Sequence, residues 1–541
     1  MKGYQPLHWL KEVAGAPQAT GRPAARVRLI GRLKVWPLRR PQTQATAAGS
    51  LSPSFTSVQH LSGAWLNGLP GVTYCRQSAT LASSTHFSVS HKMDAATVSG
   101  CFKDKSILIT GSTGFLGKIL LEKILRAQPD VKKVFLLVRA ADTSAAEKRV
   151  SNEIIENELF ATLREKYGSY FHSFAKEKIS TLAGDIIDEN LGLESSKILE
   201  LSEEIDIIVN GAATTNFYER YDVALASNVL GTKYVCKFAK KCPNLKMFLH
   251  VSTAYVAGEQ QGLFLEKPFQ FGETRKQGCH LDIDAELKLV DSIKAELAHS
   301  TGNLEQLERK TMKKLGLKRA RHFGWPNTYV FTKSMGEMLV GHLGVDLPVV
   351  VVRPSIVSSI YHEPLPGWIE GTRTIDTIIT AYAKQSIPCF IGNGDVILDV
   401  ITNDDLCSQI PGDMVVNAMM VAMAVHWNEK GQVVIHVTSS LQNPLSTSTT
   451  LDMMYRYFSS NPQIGKNGRV IKAKRLHLTN KFASFRTYMF LKYKLPLEVL
   501  HMVNPLFGGS FSRYYNKYNR SYRYFILLAK LYAPYGFFNG R

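Results

Sequence analysis

The feature that most restricts this chain is a run of glycines placed between a strand-like and a helix-like segment. Ser106-Ile107-Leu108-Ile109-Thr110 is a short apolar run, followed directly by Gly111-Ser112-Thr113-Gly114-Phe115-Leu116-Gly117 and a helical pattern through Leu125. Glycines at this spacing permit a tight turn, close approach of a ligand to the backbone, and close packing of helix on strand. The N–H groups opening such a helix form an anion site, and a strand before with a helix after is the context that a dinucleotide pyrophosphate demands. Gly111, Thr113, Gly114, Phe115, Leu116 and Gly117 are therefore assigned to cofactor binding.

Further short apolar runs at Val134 to Val138, Ile205 to Val209, Met247 to Val251 and Val349 to Val352 are separated by helix-length intervals. Strands buried on both faces read this way. The expected fold is α/β, a Rossmann-type doubly wound parallel sheet, with a smaller, mainly helical region beyond it. Residues 99–437 are expected to form the dinucleotide-binding domain, with excursions, and residues 438–541 a C-terminal region. The charged stretch from Asp282 to Arg321 reads as exposed helices at the sheet's edge.

The second strand candidate ends in Leu137-Val138-Arg139. An NAD site would offer a carboxylate to the ribose there, whereas Arg139 favours a 2′-phosphate and hence NADPH. Asp185, after Gly184 at a plausible third strand end, is placed to accept from the adenine amino group. Asn210-Gly211-Ala212-Ala213 follows the fourth strand, with Ala212 where the nicotinamide half would run close to backbone.

Tyr329 and Lys333 form Tyr-x-x-x-Lys. Positions four apart share one helix face, so the ammonium is expected to stand beneath the phenol and lower its pKa toward neutrality. The phenol then serves as a proton donor to an oxygen gaining charge. Val251-Ser252-Thr253-Ala254 ends a strand in hydroxyl residues, the source of a second hydrogen bond to that oxygen. Asn228 could hold water or backbone near the lysine, or be a capping or satisfied core asparagine.

The formal charge of +20 is unevenly spread. Residues 1–93 hold eleven lysines and arginines against one acid, Glu12, and are rich in Ser, Thr and Ala. Residues 1–98 accordingly read as an organelle transit peptide with a linker, or as a basic tail. No recognition motif accompanies the charge, so nucleic-acid binding is not expected. No uncharged apolar run reaches the length of about 18 residues that a membrane span needs. The seven cysteines lack metal-site spacing, which disfavours a disulfide framework or bound metal and implies a reducing compartment. Near the C-terminus, Tyr514, Tyr515, Tyr518, Tyr522, Tyr524 and Phe525 interleave with Arg513, Lys517, Arg520 and Arg523, the pattern of an amphipathic helix that meets a membrane face, an acidic protein or its own core.

Together the glycine loop, Asn228-x-x-Gly231-Thr232, Ser252-Thr253-Ala254-Tyr255-Val256 and Tyr329-x-x-x-Lys333 resemble the extended short-chain dehydrogenase/reductase superfamily. Gly262 to Phe269, Val352-Arg353-Pro354-Ser355-Ile356-Val357 and Pro364 to Gly371 are similar to the plant fatty acyl reductases of the male-sterility 2 type, over roughly Phe102 to Arg541. This resemblance implies a plastid enzyme that uses NADPH to reduce a long-chain acyl-CoA or acyl-ACP to a primary alcohol for pollen wall and anther cuticle lipids. It places Thr253, Tyr329 and Lys333 at the catalytic positions, with Ser252 the less favoured hydroxyl. Reduction stopping at the aldehyde, and an inactive isoform acting as a binding partner, stay open. Two departures bear on the latter: Thr402 to Ile410 reads as an added loop, and the chain stops at Gly540-Arg541 inside what resembles a continuing motif.

Overall fold

The computed structural model describes residues 93–299, 303–371, 374–387, 389–398, 410–440, 444–465 and 467–538. Nearly all of the expected transit segment, the loop residues 402–409 and the last three residues lie outside these.

Seven strands form one sheet: β1 Ser106–Thr110, β2 Lys133–Val138, β3 Ile179–Ala183, β4 Ile207–Asn210, β5 Met247–Val251, β6 Pro348–Pro354 and β7 Gly431–Val437. Their spatial order is β7-β6-β5-β4-β1-β2-β3, and every neighbouring pair is parallel. The expected α/β doubly wound sheet is present. Chain order reverses across the β1–β4 pair, registered Ile107 to Ile207, which leaves a crevice above the carboxyl ends of those strands.

Successive side chains of a strand point to opposite faces, and here both faces are covered. Ile107, Ile109, Leu136 and Val350 join helix residues Ile119, Leu120 and Ile124 on one side. Leu108, Phe135, Ile208, Phe248 and Val351 pack with Leu201, Val235 and Phe238 on the other.

The charged middle segment forms helices Ile283–Ala298 and Leu304–His322. Their buried residues, including Val290, Met312 and Ala320, join Tyr221, Leu225, Phe331 and Met335 in a third core. The segment thus packs on the helical layer that carries Tyr329. A fourth core unites Tyr382, Ile387, Cys389 and Ile391 with Met454, Phe485, Tyr493, Tyr518 and Phe525, drawing residues from both sides of position 437. Short strands Cys389–Ile391 and His477–Thr479 pair in parallel across the same division. Between these contributions the chain returns to the main sheet to add β7 beside β6. Among the described residues no helix is long and apolar enough to cross a membrane.

Candidate active site

Helix α1, Phe115–Ala127, starts at Gly114 with no side chain capping its first turn. Gly111 has φ 76°, in the left-handed region, and a Cβ there would lie 2.7 Å from the Ala212 backbone nitrogen. A Cβ on Gly117 would collide with the Gly111 carbonyl oxygen. The bend is therefore as tight as backbone allows, and it faces the crevice with uncapped amides at a helix N-terminus. These features fit a dinucleotide pyrophosphate. Phe115 stacks on Trp368 at 5.3 Å, and Lys118 reaches Glu370 at 2.6 Å, so the 364–371 segment covers this helix.

Arg139 follows β2 with its guanidinium exposed, and its Nε lies 4.0 Å from Asp185 Oδ2. Asp185 Oδ1 also accepts from the Ile187 amide at 3.2 Å. Both residues stand at the edge of the crevice, with Arg139 free enough to meet a phosphate. The Ala212 amide donates to Thr110 Oγ1 at 3.2 Å, which ties the loop after β4 to the end of β1.

Tyr329 and Lys333 lie on α2, Thr328–Leu343, whose N-cap Asn327 accepts from the Val330 amide. Thr253 lies two residues beyond β5; its hydroxyl is near enough to the Tyr329 phenol to draw the phenol's pKa down, and it accepts from the Tyr255 amide at 3.4 Å. Ser252 is committed elsewhere, donating to the buried Glu337 carboxylate. The two adjacent hydroxyls thus have separate partners.

Lys333 is buried. Its Nζ donates to the Val251 carbonyl at 2.8 Å and lies 3.3 Å from His250 Nε2. Burial lowers its pKa to about 8, opposed by the nearby Glu337 carboxylate. His250 is also buried, and burial together with the Lys333 charge holds its pKa well below the usual value, so the ring is neutral at physiological pH. The Asn210 amide lies 3.1 Å from its other ring nitrogen, and Thr110 donates to Asn210 Oδ1 at 3.0 Å. A polar chain therefore runs through the ends of β1, β4 and β5 to the lysine.

The expectation of an acidified phenol is corrected by the structure. Burial pushes Tyr329 up to about 12, with only the Thr253 hydrogen bond drawing it down. Desolvation disfavours phenolate, and the ammonium donates to the Val251 carbonyl beside His250 instead. Tyr329 is thus a reservoir for a proton, well suited to donate to an oxygen more basic than itself.

Asn228 takes the satisfied core role. Its Nδ2 donates to Thr214 O at 3.1 Å and to Thr332 Oγ1 at 2.9 Å, while Oδ1 accepts from the Thr214 amide.

Three features escaped the sequence reading. His250 is a polar residue in the otherwise apolar Met247-Phe248-Leu249 run, which is a usable signal. Phe217 stacks on Tyr329 at 5.8 Å and contacts Tyr532 and Tyr535, each at 5.3 Å. Asn327 Nδ2 donates to the Tyr535 hydroxyl at 2.7 Å across 208 residues. No local pattern announces either of the last two.

Residues 109–419 match the family described as "Male sterility protein". The chain is 44% identical over 440 residues to the "Alcohol-forming fatty acyl-CoA reductase" of Simmondsia chinensis, covering 81% of this chain and 87% of that protein. It is 39% identical over 449 residues to "Fatty acyl-CoA reductase 2, chloroplastic" of Arabidopsis thaliana, covering 81% and 71% respectively. Among solved structures it is similar to the terminal R domain of the myxalamid PKS-NRPS pathway, at 20% identity and TM-score 0.44, over 72% of this chain and 75% of that one. On the extent of the family match and the identity to these plant relatives, the chain belongs to the male sterility protein family, that of the plant fatty acyl-CoA reductases.

Proposed function

We propose that this protein uses NADPH to reduce a long-chain acyl thioester, carried by coenzyme A or acyl carrier protein, to a primary fatty alcohol by way of the aldehyde. The observation that carries this reading is the nearness of the Thr253 hydroxyl to the Tyr329 phenol, with Lys333 one turn along the same helix and held by the Val251 carbonyl, in a chain whose first strand leads into the glycine bend. The names and identity of the plant reductases supply the substrate class.

Gly111, Thr113, Gly114, Phe115, Leu116 and Gly117 would hold the pyrophosphate, Arg139 the 2′-phosphate and Asp185 the adenine, with Ala212 along the nicotinamide half. When bound, NADPH supplies the hydride. Thr253 and Tyr329 then do one thing twice. As the thioester carbonyl gains charge, both hydroxyls stabilise the forming oxyanion, which collapses with loss of the thiol. When the aldehyde is reduced in turn, its oxygen becomes an alkoxide, more basic than a phenol of pKa about 12, and Tyr329 gives up its proton. Lys333, held by the Val251 carbonyl on the same helix as Tyr329, would keep a positive charge near the site below about pH 8.

Residues 1–93, basic and acid-poor, together with the chloroplastic relative, support a plastid location. A product destined for pollen wall and anther cuticle lipids is in keeping with a family described as "Male sterility protein". The basic C-terminal helix Ser512–Tyr532 is where the chain would meet an anionic partner. A labelled palmitoyl thioester on each carrier, supplied with NADPH or NADH, tests the reading: alcohol formed with NADPH is expected. Aldehyde as the sole end product would reduce the reaction to its first half.

A further inference from the structure

The C-terminal region turns a second apolar face outward. From Phe482 to Phe507 the chain is helical through four abutting segments, Phe482–Met489, Phe490–Lys494, Leu495–Val503 and Asn504–Phe507. Phe485, Met489, Tyr493 and Leu497 point into the fourth core. On the other side Leu491, Leu495, Val499, Met502 and Leu506 recur at spacings of four, four, three and four, which place them on one helix face. They are between 42% and 83% exposed, and Phe490 and Phe507 flank them at 44% and 56%. Single exposed apolar residues are ordinary on a protein surface; a five-residue stripe on one face, flanked by two phenylalanines, marks a contact.

Charge decides what kind. From Lys481 to Lys530 nine lysines and arginines stand against one acid, Glu498. That acid is already engaged by Lys494 and by the Tyr515 hydroxyl. Helix α3, Ser512–Tyr532, packs against Leu495–Val503 and exposes Arg513, Lys517, Arg520 and Arg523. An apolar stripe beside a cationic face is the arrangement of an interfacial segment, whose apolar side chains enter the acyl boundary while its cations meet headgroup phosphates. An acidic protein would satisfy the cations but give no reason for the stripe.

We propose that this face, the 490–507 stripe with the exposed cations of α3, docks the protein on an anionic lipid bilayer. The lipid partner accords with the long-chain product proposed above, and to that extent rests on that reading: a fatty alcohol partitions into a bilayer, and a docked enzyme releases it there.

The test is flotation of the full chain with vesicles of phosphatidylcholine alone or mixed with phosphatidylglycerol. Binding is expected to the mixed vesicles, weakening as salt is raised. The triple variant Leu495→Gln/Met502→Gln/Leu506→Gln should lose about tenfold or more in partition. Arg513→Gln/Lys517→Gln should lose roughly fivefold per cation, and only on anionic vesicles. Circular dichroism melts and turnover of a short, soluble acyl thioester should match the parent, since none of these residues lies in the catalytic crevice. The proposal is overturned if the chain does not float, or if the triple variant floats equally, which would move binding to another segment such as residues 1–92. It is also overturned if light scattering shows a dimer that the triple variant dissolves, or if acidic carrier protein binds this face and vesicles do not. Loss of flotation with normal turnover leaves the reductase intact; flotation without turnover of any thioester removes the reductase reading and leaves the docking face.

Discussion

Nζ of Lys333 lies 3.3 Å from Nε2 of His250, and the two share a pocket closed to solvent. A neutral imidazole has one acceptor nitrogen, and with the Asn210 amide on Nδ1 the acceptor for the ammonium is the Val251 carbonyl; burial lowers the lysine's pKa to about 8, opposed by the Glu337 carboxylate. A lysine is charged below its pKa and neutral above it, so kcat should hold up to about pH 8 and fall beyond. The groups facing Lys333 are His250, the Val251 carbonyl and Glu337. His250→Leu replaces a polar ring beside a buried ammonium with hydrocarbon and should move the alkaline limb to lower pH; His250→Gln, which keeps a polar side chain there, should leave it nearer the parent. An unchanged limb in the leucine variant would show that His250 only fills space.

Tyr329→Phe deletes the proton donor and half of the oxyanion support. Turnover should fall by roughly a hundredfold to ten-thousandfold, the usual contribution of a general acid. NADPH affinity, read by fluorescence quenching, should change little, which separates the chemical loss from a binding loss.

Arg139→Asp exchanges the cation at the end of β2 for the group an NAD site would carry. The ratio of kcat/KM for NADPH over NADH should drop, through a rise in KM for NADPH. The guanidinium's exposure and its 4.0 Å spacing from Asp185 leave it available for this role, and a ratio that stays put would make it an ordinary surface residue.

Glu337 and Arg353 form an ion pair at 2.6 Å with neither side chain exposed, and Arg353 also reaches the Lys267 carbonyl. Glu337→Leu strands a buried guanidinium and should cost about 3–5 kcal/mol, read as a lowered midpoint in urea. The double change Glu337→Leu/Arg353→Met should recover much of it.

The sheet could be read from the sequence because its strands are buried on both faces and so appear as unbroken apolar runs. Met247–Val251 was bounded correctly, and the glycine bend marked the cofactor crevice without help from elsewhere. β7 was missed: Gly431–Val437 is an edge strand with mostly half-buried residues, and its run lies after a long excursion. The phenol's pKa was misjudged for a physical reason. Spacing on a helix says that Tyr329 and Lys333 share a side, but rotamers and strand-end carbonyls decide where the ammonium goes, and neither is written in the interval of four. Phe217 and Tyr535 reach Tyr329 and its helix only through tertiary packing.

The Asn327 to Tyr535 bond spans most of the distance from the catalytic helix to the end of the chain. Asn327 caps the helix that bears the tyrosine and lysine, and its remaining amide is anchored by a hydroxyl 208 residues downstream. The start of the catalytic helix and the C-terminal region are therefore joined by this bond, and Tyr535→Phe would leave the Asn327 amide without that partner while its cap to Val330 stays.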